Sequence, residues 1–283
     1  MSSRLIGAHM PTAGGLGTAV RKGHAIGCTA VQVFTSNPQT WKAKEITEKD
    51  IRELDEARAE TGIDCVVSHD SYLVNLASPD DENRAKSEAA LMGELTRCSR
   101  LGIRWAVSHM GAHMGQGVEV GQQRVAESTL RVLEQTPDDV MLLMETTAGQ
   151  GSVLNSRFEE LGELLCLCDG HPRLGVCVDT CHVYVAGYDW TTAEGYDAMW
   201  AQFDRLIGLS RLKAIHVNDS KKGLGSRVDR HEHIGLGAIG AAAFVRLMVD
   251  PRFADIPFLL ETPEAETMHA ENVAKLWELS GAR

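Results

Sequence analysis

The stretch Leu174-Gly-Val-Cys-Val-Asp179 is the most informative about the fold of this 283-residue chain. It is a short, nearly continuous apolar run that ends in a carboxylate, without the alternation of a half-exposed strand. Strands of this kind are buried on both faces, as in a parallel sheet that helices cover. A carboxylate at the end of such a strand is costly to bury without a partner. The stretch therefore predicts a buried parallel strand with a polar site at its carboxyl end.

Seven further runs have the same character. They are Arg4–His9, Val31–Phe34, Asp64–His69, Arg104–His109, Val140–Glu145, Lys213–Val217 and Pro257–Glu261. The segments between them carry apolar residues at three- and four-residue spacing, which predicts amphipathic helices. These helices are Ile51–Glu60, Asp81–Leu101, Val118–Glu134, Asn155–Cys168, Thr192–Ile207, Ile239–Val249 and His269–Leu279.

The spacing of the strand ends predicts how these units close. From His9 to Glu261 there are 252 residues over seven intervals, an average of 36, and one βα unit takes about 30 residues or more. Eight such units predict an α/β fold, a (β/α)8 TIM barrel, as a single domain over residues 1–283. A doubly wound open sheet is the alternative, but it would place its site at only two or three strand ends. At least six strand ends here carry a candidate ligand, which favours the closed barrel.

Composition excludes several classes of protein. Hydrophobic residues make up 43% and charged residues 24% of the chain, close to globular averages, which excludes a disordered or collagen-like chain. No apolar run approaches the ~18–20 residues of a membrane span, and the first residues lack a secretory pattern. We therefore expect a cytoplasmic protein whose seven cysteines are reduced.

The net charge of −11 argues at first against a nucleic-acid partner, because phosphate backbones recruit Lys and Arg. That inference is weak where carboxylates hold metal ions, since the ions reverse the local charge.

Nine candidate metal ligands define the predicted site. Six end strands and therefore converge on one mouth of a barrel: His69, His109, Glu145, Asp179, His216 and Glu261. His182 follows Asp179 by three residues, and Asp229 and His231 lie in a later loop. Imidazole with carboxylate suits zinc, or manganese or iron. A catalytic zinc needs three protein ligands, so nine residues are enough for three ions that share carboxylates.

Such a site attracts an anion, and a phosphodiester is the obvious candidate. Bridged metal ions generate hydroxide as the nucleophile and stabilise both the attacking and leaving oxygens of an in-line displacement. Four cations lie in the loop that carries two of the ligands, where they either contact phosphate or face solvent; these are Lys221, Lys222, Arg227 and Arg230.

The remaining histidines and two of the cysteines are not expected to be principal metal ligands. His9, His113 and His233 are expected to be structural or to support the ligands, whereas His24, His171 and His269 are expected to have no special role. Cys177 and Cys181 flank Asp179, and thiolate ligation is the minor alternative there.

The chain resembles the endonuclease IV family of apurinic/apyrimidinic (AP) endonucleases over nearly its whole length. The motifs that carry the resemblance are Gly7-Ala-His9, Ala13-Gly-Gly15, His69-Asp-Ser-Tyr-Leu73, Glu145 with Thr147-Ala-Gly-Gln-Gly151, Asp179-Thr-Cys-His182, Ala186-Gly-Tyr188, the block His216–Gly235 and Leu260-Glu-Thr-Pro263. The 20-residue block from His216 is the most specific of them.

The resemblance implies a zinc-dependent deoxyribonuclease of DNA repair. Such an enzyme cleaves the backbone of double-stranded DNA 5′ to an abasic site, leaves a 3′-hydroxyl, and trims blocked 3′ ends. We expect it to act as a monomer.

The resemblance also assigns three Zn²⁺ ions. The first would be held by His69 and His109, with Glu145 bridging to the second, which Asp179, His216 and Glu261 complete. The third would be held by His182, Asp229 and His231. Manganese or iron is the alternative ion at some sites. Glu145 and Glu261 would be the catalytic carboxylates.

Tyr72 and Leu73 match family residues that fill the gap left by a flipped-out abasic nucleotide. The family usually has an arginine near Gln39, so DNA insertion is expected to depend more on Tyr72 and Leu73. Met110 and Thr146 also depart from the family pattern, at positions that adjoin ligands.

Two other functions remain open on the sequence. A xylose-isomerase-like sugar isomerase or epimerase shares strand-end metal ligands but needs only one or two ions. A protein that binds damaged DNA without cutting it predicts lost ligands, and none of the nine is lost.

Overall fold

Eight parallel strands close into a barrel in the computed structural model, which describes residues 4–281. They are β1 Ile6–His9, β2 Ala30–Phe34, β3 Cys65–His69, β4 Trp105–Ser108, β5 Met141–Glu145, β6 Leu174–Asp179, β7 Leu212–His216 and β10 Phe258–Leu260. In space they follow the order β1-β10-β7-β6-β5-β4-β3-β2. The predicted TIM barrel is confirmed. The predicted domain bounds include residues 1–3 and 282–283, which lie outside the described residues.

Helices surround the barrel. They are α1 Leu16–Ala25, α2 Glu48–Thr61, α3 Asp81–Arg100, α4 Val118–Glu134, α5 Phe158–Leu167, α6 Thr180–Ala186, α7 Ala193–Leu206, α8 Ala241–Val249 and α9 Ala265–Leu279. Helix α9 begins four residues before the predicted start at His269. Within residues 4–281, no helix is both long and apolar enough to cross a membrane.

Two features of the mouth were not predicted. The short helix α6 directly follows β6, and strands β8 (Asp219–Ser220) and β9 (His231–Glu232) form a small antiparallel hairpin after β7. Helix α6 is shorter than the window that periodicity needs, and two-residue strands carry no alternation that a sequence could display. Their positions nevertheless decide where three candidate ligands lie.

An apolar layer fills the middle of the barrel interior. Its buried members are Ala30, Val67, Val107, Leu143, Cys177, Ala214 and Leu259. Successive strand residues point to opposite faces, so the residue two positions later again faces the interior. In every one of these seven cases that later residue is polar, and it lies at the carboxyl end of the barrel. We call these seven residues the polar layer: Gln32, His69, His109, Glu145, Asp179, His216 and Glu261.

Alternate residues of the same strands face the surrounding helices. Val31 and Val33 of β2 are fully buried in the larger core between barrel and helices. Glu94 of α3, only 2% exposed, accepts hydrogen bonds from the hydroxyls of Thr35 and Ser68. These bonds fix α3 against β2 and β3 and satisfy a carboxylate that would otherwise be costly to bury.

Candidate metal centre

Three groups of side chains at the mouth could each hold a metal ion, because their ligand atoms lie within 4.8 Å of one another. The first is His69, His109 and Glu145; the second is Glu145, Asp179, His216 and Glu261; the third is His182, Asp229 and His231. The structure thus brings together all nine residues that the sequence analysis selected. Glu145 belongs to both the first and the second group.

Glu145 lies at the centre of the arrangement and is completely buried. Its Oε2 lies 3.2 Å from His69 Nε2 and 2.8 Å from His109 Nε2. Its Oε1 lies 2.9 Å from His216 Nδ1, which is also 3.4 Å from Glu261 Oε2. The two oxygens of one carboxylate therefore face two different sets of imidazoles. A carboxylate with this geometry can bridge two cations.

The third group depends on the two elements that the sequence did not predict. Asp179 ends β6, and its Oδ1 accepts a hydrogen bond of 2.8 Å from the His182 backbone N–H, which caps α6. The hairpin β8–β9 carries the other two members. Asp229 Oδ2 lies 3.1 Å from His182 Nε2, and Asp229 Oδ1 lies 3.3 Å from His231 Nε2. One carboxylate is thus held between two imidazoles.

Three of the imidazoles are oriented by backbone carbonyls. Nδ1 of His69 lies 3.0 Å from the Asp70 carbonyl oxygen, that of His182 lies 2.8 Å from the Thr146 carbonyl, and that of His231 lies 3.0 Å from the Glu261 carbonyl. A neutral imidazole that donates through Nδ1 has its lone pair on Nε2. In all three rings, Nε2 is the atom that faces the carboxylates. This second hydrogen bond is what sets the tautomer of a metal-binding histidine.

The donor set fits divalent metal ions. Nε2 of His182 and of His231 is buried and lacks a hydrogen-bond partner, although each nitrogen lies beside a carboxylate oxygen of Asp229. A lone pair that faces a carboxylate is repelled unless a cation lies between them. Imidazole nitrogens and carboxylate oxygens in groups of three or four are the ligands that zinc takes.

Charges within the cluster shift the pKa values of its members. Burial disfavours the protonated ring of His69, but the hydrogen bond and charge of Glu145 outweigh it and raise the pKa of His69 to about 9. Burial would raise the pKa of Glu145, but the nearby His109 and His216 rings hold it well below its usual value. Protons therefore occupy the cluster when metal ions do not.

Cys181 forms a further grouping with Asp179 and His231. Burial raises the pKa of its thiol to about 12, so the thiolate that a metal ion binds is strongly disfavoured. Cys177 lies in the apolar layer, two residues below Asp179. Thiolate ligation remains the weaker alternative to the imidazole and carboxylate sets.

The residues assigned to DNA contact lie around the mouth. Tyr72 is 66% exposed and its ring packs edge-on against Phe34, with the centroids 5.4 Å apart; Leu73 is half-buried and Gln39 is exposed. The four loop cations, Lys221, Lys222, Arg227 and Arg230, are all exposed. Backbone hydrogen bonds from Lys221 N to the Arg230 carbonyl and from Arg227 N to the Val185 carbonyl hold this loop next to α6.

Several histidines outside the nine have clear positions. His9 supports the cluster as expected, with Nδ1 3.5 Å from Glu261 Oε1. His269 was expected to have no special role, yet it is 2% exposed, and its Nε2 lies 3.3 Å from the Thr262 carbonyl oxygen, next to Glu261. The start of α9 at Ala265, which the sequence did not predict, turns this residue towards the barrel.

Gln32 was missed by the sequence analysis, which took Phe34 as the end of β2 and found no polar group there. Gln32 is fully buried and contacts two of the nine ligands. The available signal was an amide within the otherwise apolar strand Ala30–Phe34, because a buried polar side chain needs partners.

Cavity size alone does not locate this site. A cavity of about 1040 Å³ opens at the amino ends of the first strands, away from the candidate ligands, and is lined by residues such as Thr29, Asp64 and Trp105. At the carboxyl ends, a cavity of about 290 Å³ is lined by Tyr72 and by six of the nine candidate ligands, which are His69, His109, His182, Asp229, His231 and Glu261. An adjoining cavity of about 250 Å³ is lined by Tyr72, Leu73 and the apolar Ala112 and Val153.

Comparisons with known proteins agree with this geometry. A family model described as a xylose isomerase-like TIM barrel matches residues 20–279. A probable endonuclease 4 of Chloroflexus aurantiacus is 50% identical over 263 residues, 93% of this chain and 92% of the relative. The crystal structure of endonuclease IV from Thermus thermophilus superposes with a TM-score of 0.88 at 36% identity, covering 99% of this chain and 100% of that one.

Sugar epimerases share the fold at much lower identity. A 3-keto-D-glucoside 4-epimerase from E. coli superposes with a TM-score of 0.71 at 13% identity, over 98% of this chain and 100% of the epimerase. That likeness concerns the barrel alone, whereas identities of 36–50% extend over nearly the whole chain in the endonuclease relatives. The chain belongs to the endonuclease IV family.

Proposed function

We propose that this protein is an AP endonuclease, a metal-dependent hydrolase that cleaves the DNA backbone 5′ to abasic sites and leaves a 3′-hydroxyl. The observation that carries the proposal is the convergence of three potential metal groups on one mouth, two of which share Glu145. Such paired groups suit phosphodiester cleavage, because both the attacking and the leaving oxygen need stabilisation. Membership of the endonuclease IV family supports the same reaction and extends the proposal to trimming of blocked 3′ ends.

Three zinc ions per chain would fit the three groups. The donor chemistry supports zinc, with manganese or iron as alternatives at some positions. When bound, the ions would supply a hydroxide nucleophile at neutral pH and neutralise charge on the reacting phosphate. His69 and His109 would hold the first ion, Asp179, His216 and Glu261 the second, and His182, Asp229 and His231 the third. Glu145 would join the first two.

Glu145 and Glu261 are the catalytic carboxylates of the proposal. Glu145 fixes the distance between the first two groups, because its two oxygens face different imidazoles. Glu261 Oε2 lies 3.4 Å from His216 Nδ1, the same nitrogen that Glu145 contacts, and the hydrogen bond of 2.8 Å from its backbone N–H to Asn218 Oδ1 holds it in place. Both would help to orient the attacking oxygen towards the phosphorus atom.

The rim residues would bind the DNA. Tyr72 and Leu73 lie next to the His69 ligand and line the cavity of about 250 Å³ that adjoins the cluster. An abasic sugar, which lacks a base, would need only a small cavity of this kind. The exposed ring of Tyr72 would fill the stack that the flipped nucleotide leaves. Lys221, Lys222, Arg227 and Arg230 would contact backbone phosphates and offset the net charge of −11, whereas Gln39 contributes no cation.

The sugar epimerase alternative accounts for less of the site. One or two metal ions would suffice for such an enzyme, so the third group of His182, Asp229 and His231 would have no use. The arrangement of that group by α6 and the β8–β9 hairpin favours the phosphodiesterase.

A duplex with a single abasic analogue tests the proposal. We expect the zinc-loaded protein to cut one strand immediately 5′ to the analogue, with a 3′-hydroxyl that a polymerase extends. An undamaged duplex of the same sequence is the control, and elemental analysis should find about three divalent ions per chain. Cleavage on the 3′ side, or no cleavage with three ions bound, would contradict the assigned activity; one ion or none would contradict the trinuclear centre.

A further inference from the structure

Gln32 is the one amide in the polar layer of the barrel. It faces the interior two residues after Ala30 of the apolar layer, in the same relation that Glu145 has to Leu143. The other six members of the layer are imidazoles or carboxylates of the proposed metal centre. Gln32 is completely buried, and an amide in that environment must be hydrogen-bonded to offset the cost of its burial.

The side chain of Gln32 connects two of these ligands. Its Nε2 donates a hydrogen bond of 2.6 Å to Glu261 Oε1 and lies 3.0 Å from His9 Nδ1. Its Oε1 lies 2.8 Å from His216 Nε2. An ionised carboxylate can only accept hydrogen bonds, so the amide nitrogen must face Glu261. The carbonyl oxygen then faces His216, and the orientation of the amide is determined.

This orientation selects one tautomer of His216. Because Gln32 Oε1 can only accept, Nε2 of His216 must carry the proton, and the neutral ring has its lone pair on Nδ1. Nδ1 is the nitrogen that faces Glu145 Oε1 at 2.9 Å and Glu261 Oε2 at 3.4 Å. In His69, His182 and His231 the tautomer is set instead by hydrogen bonds to backbone carbonyls. A side-chain substitution does not remove a backbone carbonyl. In His216 the tautomer is set by the side chain of Gln32.

We propose that Gln32 is a positioning residue for the second metal group. Its single amide directs the lone pair of His216 Nδ1 towards the metal position and fixes the orientation of the Glu261 carboxylate. The inference rests on the metal centre of the proposed function and deepens it. His9 completes the arrangement, because Nδ1 of its neutral ring accepts the second amide proton. Gln32 is completely buried, so it would act on the reaction through His216 and Glu261.

Three variants separate this role from a contribution to packing. Gln32→Met keeps the length of the side chain and removes all its hydrogen bonds. Gln32→Glu keeps an acceptor for His216 Nε2. Gln122→Met is the matched control, because Gln122 is equally buried and bonds only to Asn155, at 3.0 Å, on the outer side of the barrel. All three are prepared as full-length, zinc-loaded protein.

Zinc retention against a competing chelator is the first measurement. In Gln32→Met we expect one of the bound ions to be held about 10–100-fold more weakly, the range typical for residues that orient metal ligands, while the others keep their affinity. Gln122→Met should keep all ions at the wild-type affinity. Equal retention in Gln32→Met and wild type would overturn the inference.

The ring of His216 gives a direct spectroscopic test. With ¹⁵N-labelled histidine, the His216 signals can be assigned by their loss in a His216→Gln variant. We expect the Nε2–H proton to move to lower field in the order Gln32→Met, wild type, Gln32→Glu, because the strength of the acceptor rises in that order. Packing alone would not produce this order. An unchanged shift in Gln32→Met, or a metal bond at Nε2 in the wild type, would contradict the assignment.

Failure of the inference is distinguishable from failure of the proposed function. If wild-type protein binds no zinc, the metal centre itself is wrong. If wild type binds zinc and cleaves abasic DNA, but Gln32→Met matches it in both measurements, only the role of Gln32 is wrong.

Discussion

The two layers inside the barrel differ in chemistry but share the same strands. The lower layer, which includes Leu143 and Leu259, is fully apolar apart from the Cys177 thiol. The polar layer lies two residues later on each strand and carries the charges of the candidate metal centre. Alternation of side chains makes the two layers geometrically equivalent. One scaffold therefore supplies both the core and the site, and only side-chain chemistry distinguishes them.

The free energy of burying side chains differs greatly between the two layers. Burial of the apolar layer stabilises the fold, whereas burial of the polar layer costs free energy unless each group is paired. Hydrogen bonds from Gln32, Asn218 and the backbone offset part of that cost. Metal ions would offset most of the rest. We therefore expect changes in the polar layer to affect metal binding and activity first, and changes in the apolar layer to affect stability first.

The largest effect is expected at Glu145, because it belongs to two metal groups. Glu145→Gln keeps the size of the side chain but removes the bridging charge. Cleavage of abasic DNA should fall by more than about 100-fold, since even changes outside the ligand set of a metal site cost 10–100-fold. Elemental analysis should show that at least one ion is lost.

Glu94→Gln is the matched control, because Glu94 is also buried but lies on α3 outside the barrel. It should lower stability and retain all ions. Wild-type metal content in Glu145→Gln would contradict the bridging role.

A smaller effect, on stability, is expected in the apolar layer. Leu143→Ala removes a completely buried side chain directly below Glu145. The free energy of unfolding should fall by about 2–5 kcal/mol, measured by denaturant titration of the zinc-loaded protein. Leu143→Met, which conserves volume, should cost less than about 1.5 kcal/mol. If Leu143→Ala instead left stability unchanged and released zinc, the division of roles between the layers would be wrong.

Changes to Tyr72 and Leu73 at the rim of the mouth test whether DNA binding is independent of both layers. The double change Tyr72→Ala, Leu73→Ala should weaken binding to abasic duplex by about 1–3 kcal/mol for the lost stacking. Thermal stability should change little, because Tyr72 is 66% exposed. Val249→Ala, at an exposed apolar residue on α8, should leave DNA binding unchanged. A large fall in melting temperature, or equal loss on a small phosphodiester, would show that the rim pair supports the fold.

The smallest effect is the pH dependence of metal uptake. In the metal-free protein the pKa of His69 is raised to about 9, so its ring is protonated at pH 7.5. Metal binding requires the neutral ring, and zinc uptake should therefore release protons and strengthen as pH rises towards 9. Calorimetry in buffers of different ionisation enthalpy measures the number released. Uptake without proton release would show that the cluster is already neutral.

Much of the site could be predicted from the sequence because its members lie at regular places along the strands. The ends of apolar runs identified His69, His109, Glu145, Asp179, His216 and Glu261 without any knowledge of the fold's closure. The loop after the seventh predicted strand added Asp229 and His231. The spacing of about 36 residues between strand ends predicted the barrel itself, and local hydrogen bonds such as the Thr47 cap of α2 agree with local sequence.

Only the tertiary structure decided how these residues combine. The sequence could not show that the two oxygens of Glu145 face different imidazoles, because β3, β4 and β7 meet only when the barrel closes. It took Phe34 as the end of β2 and did not select the buried amide of Gln32, because the register that carries Gln32 into the polar layer is set by pairing with β1 and β3. The position of His182 and His231 likewise depends on α6 and the β8–β9 hairpin. The sequence specifies which side chains each strand carries. The contacts between strands exist only in the closed fold, where β1 pairs with β10 and joins Ile6 to Phe258, 252 positions away.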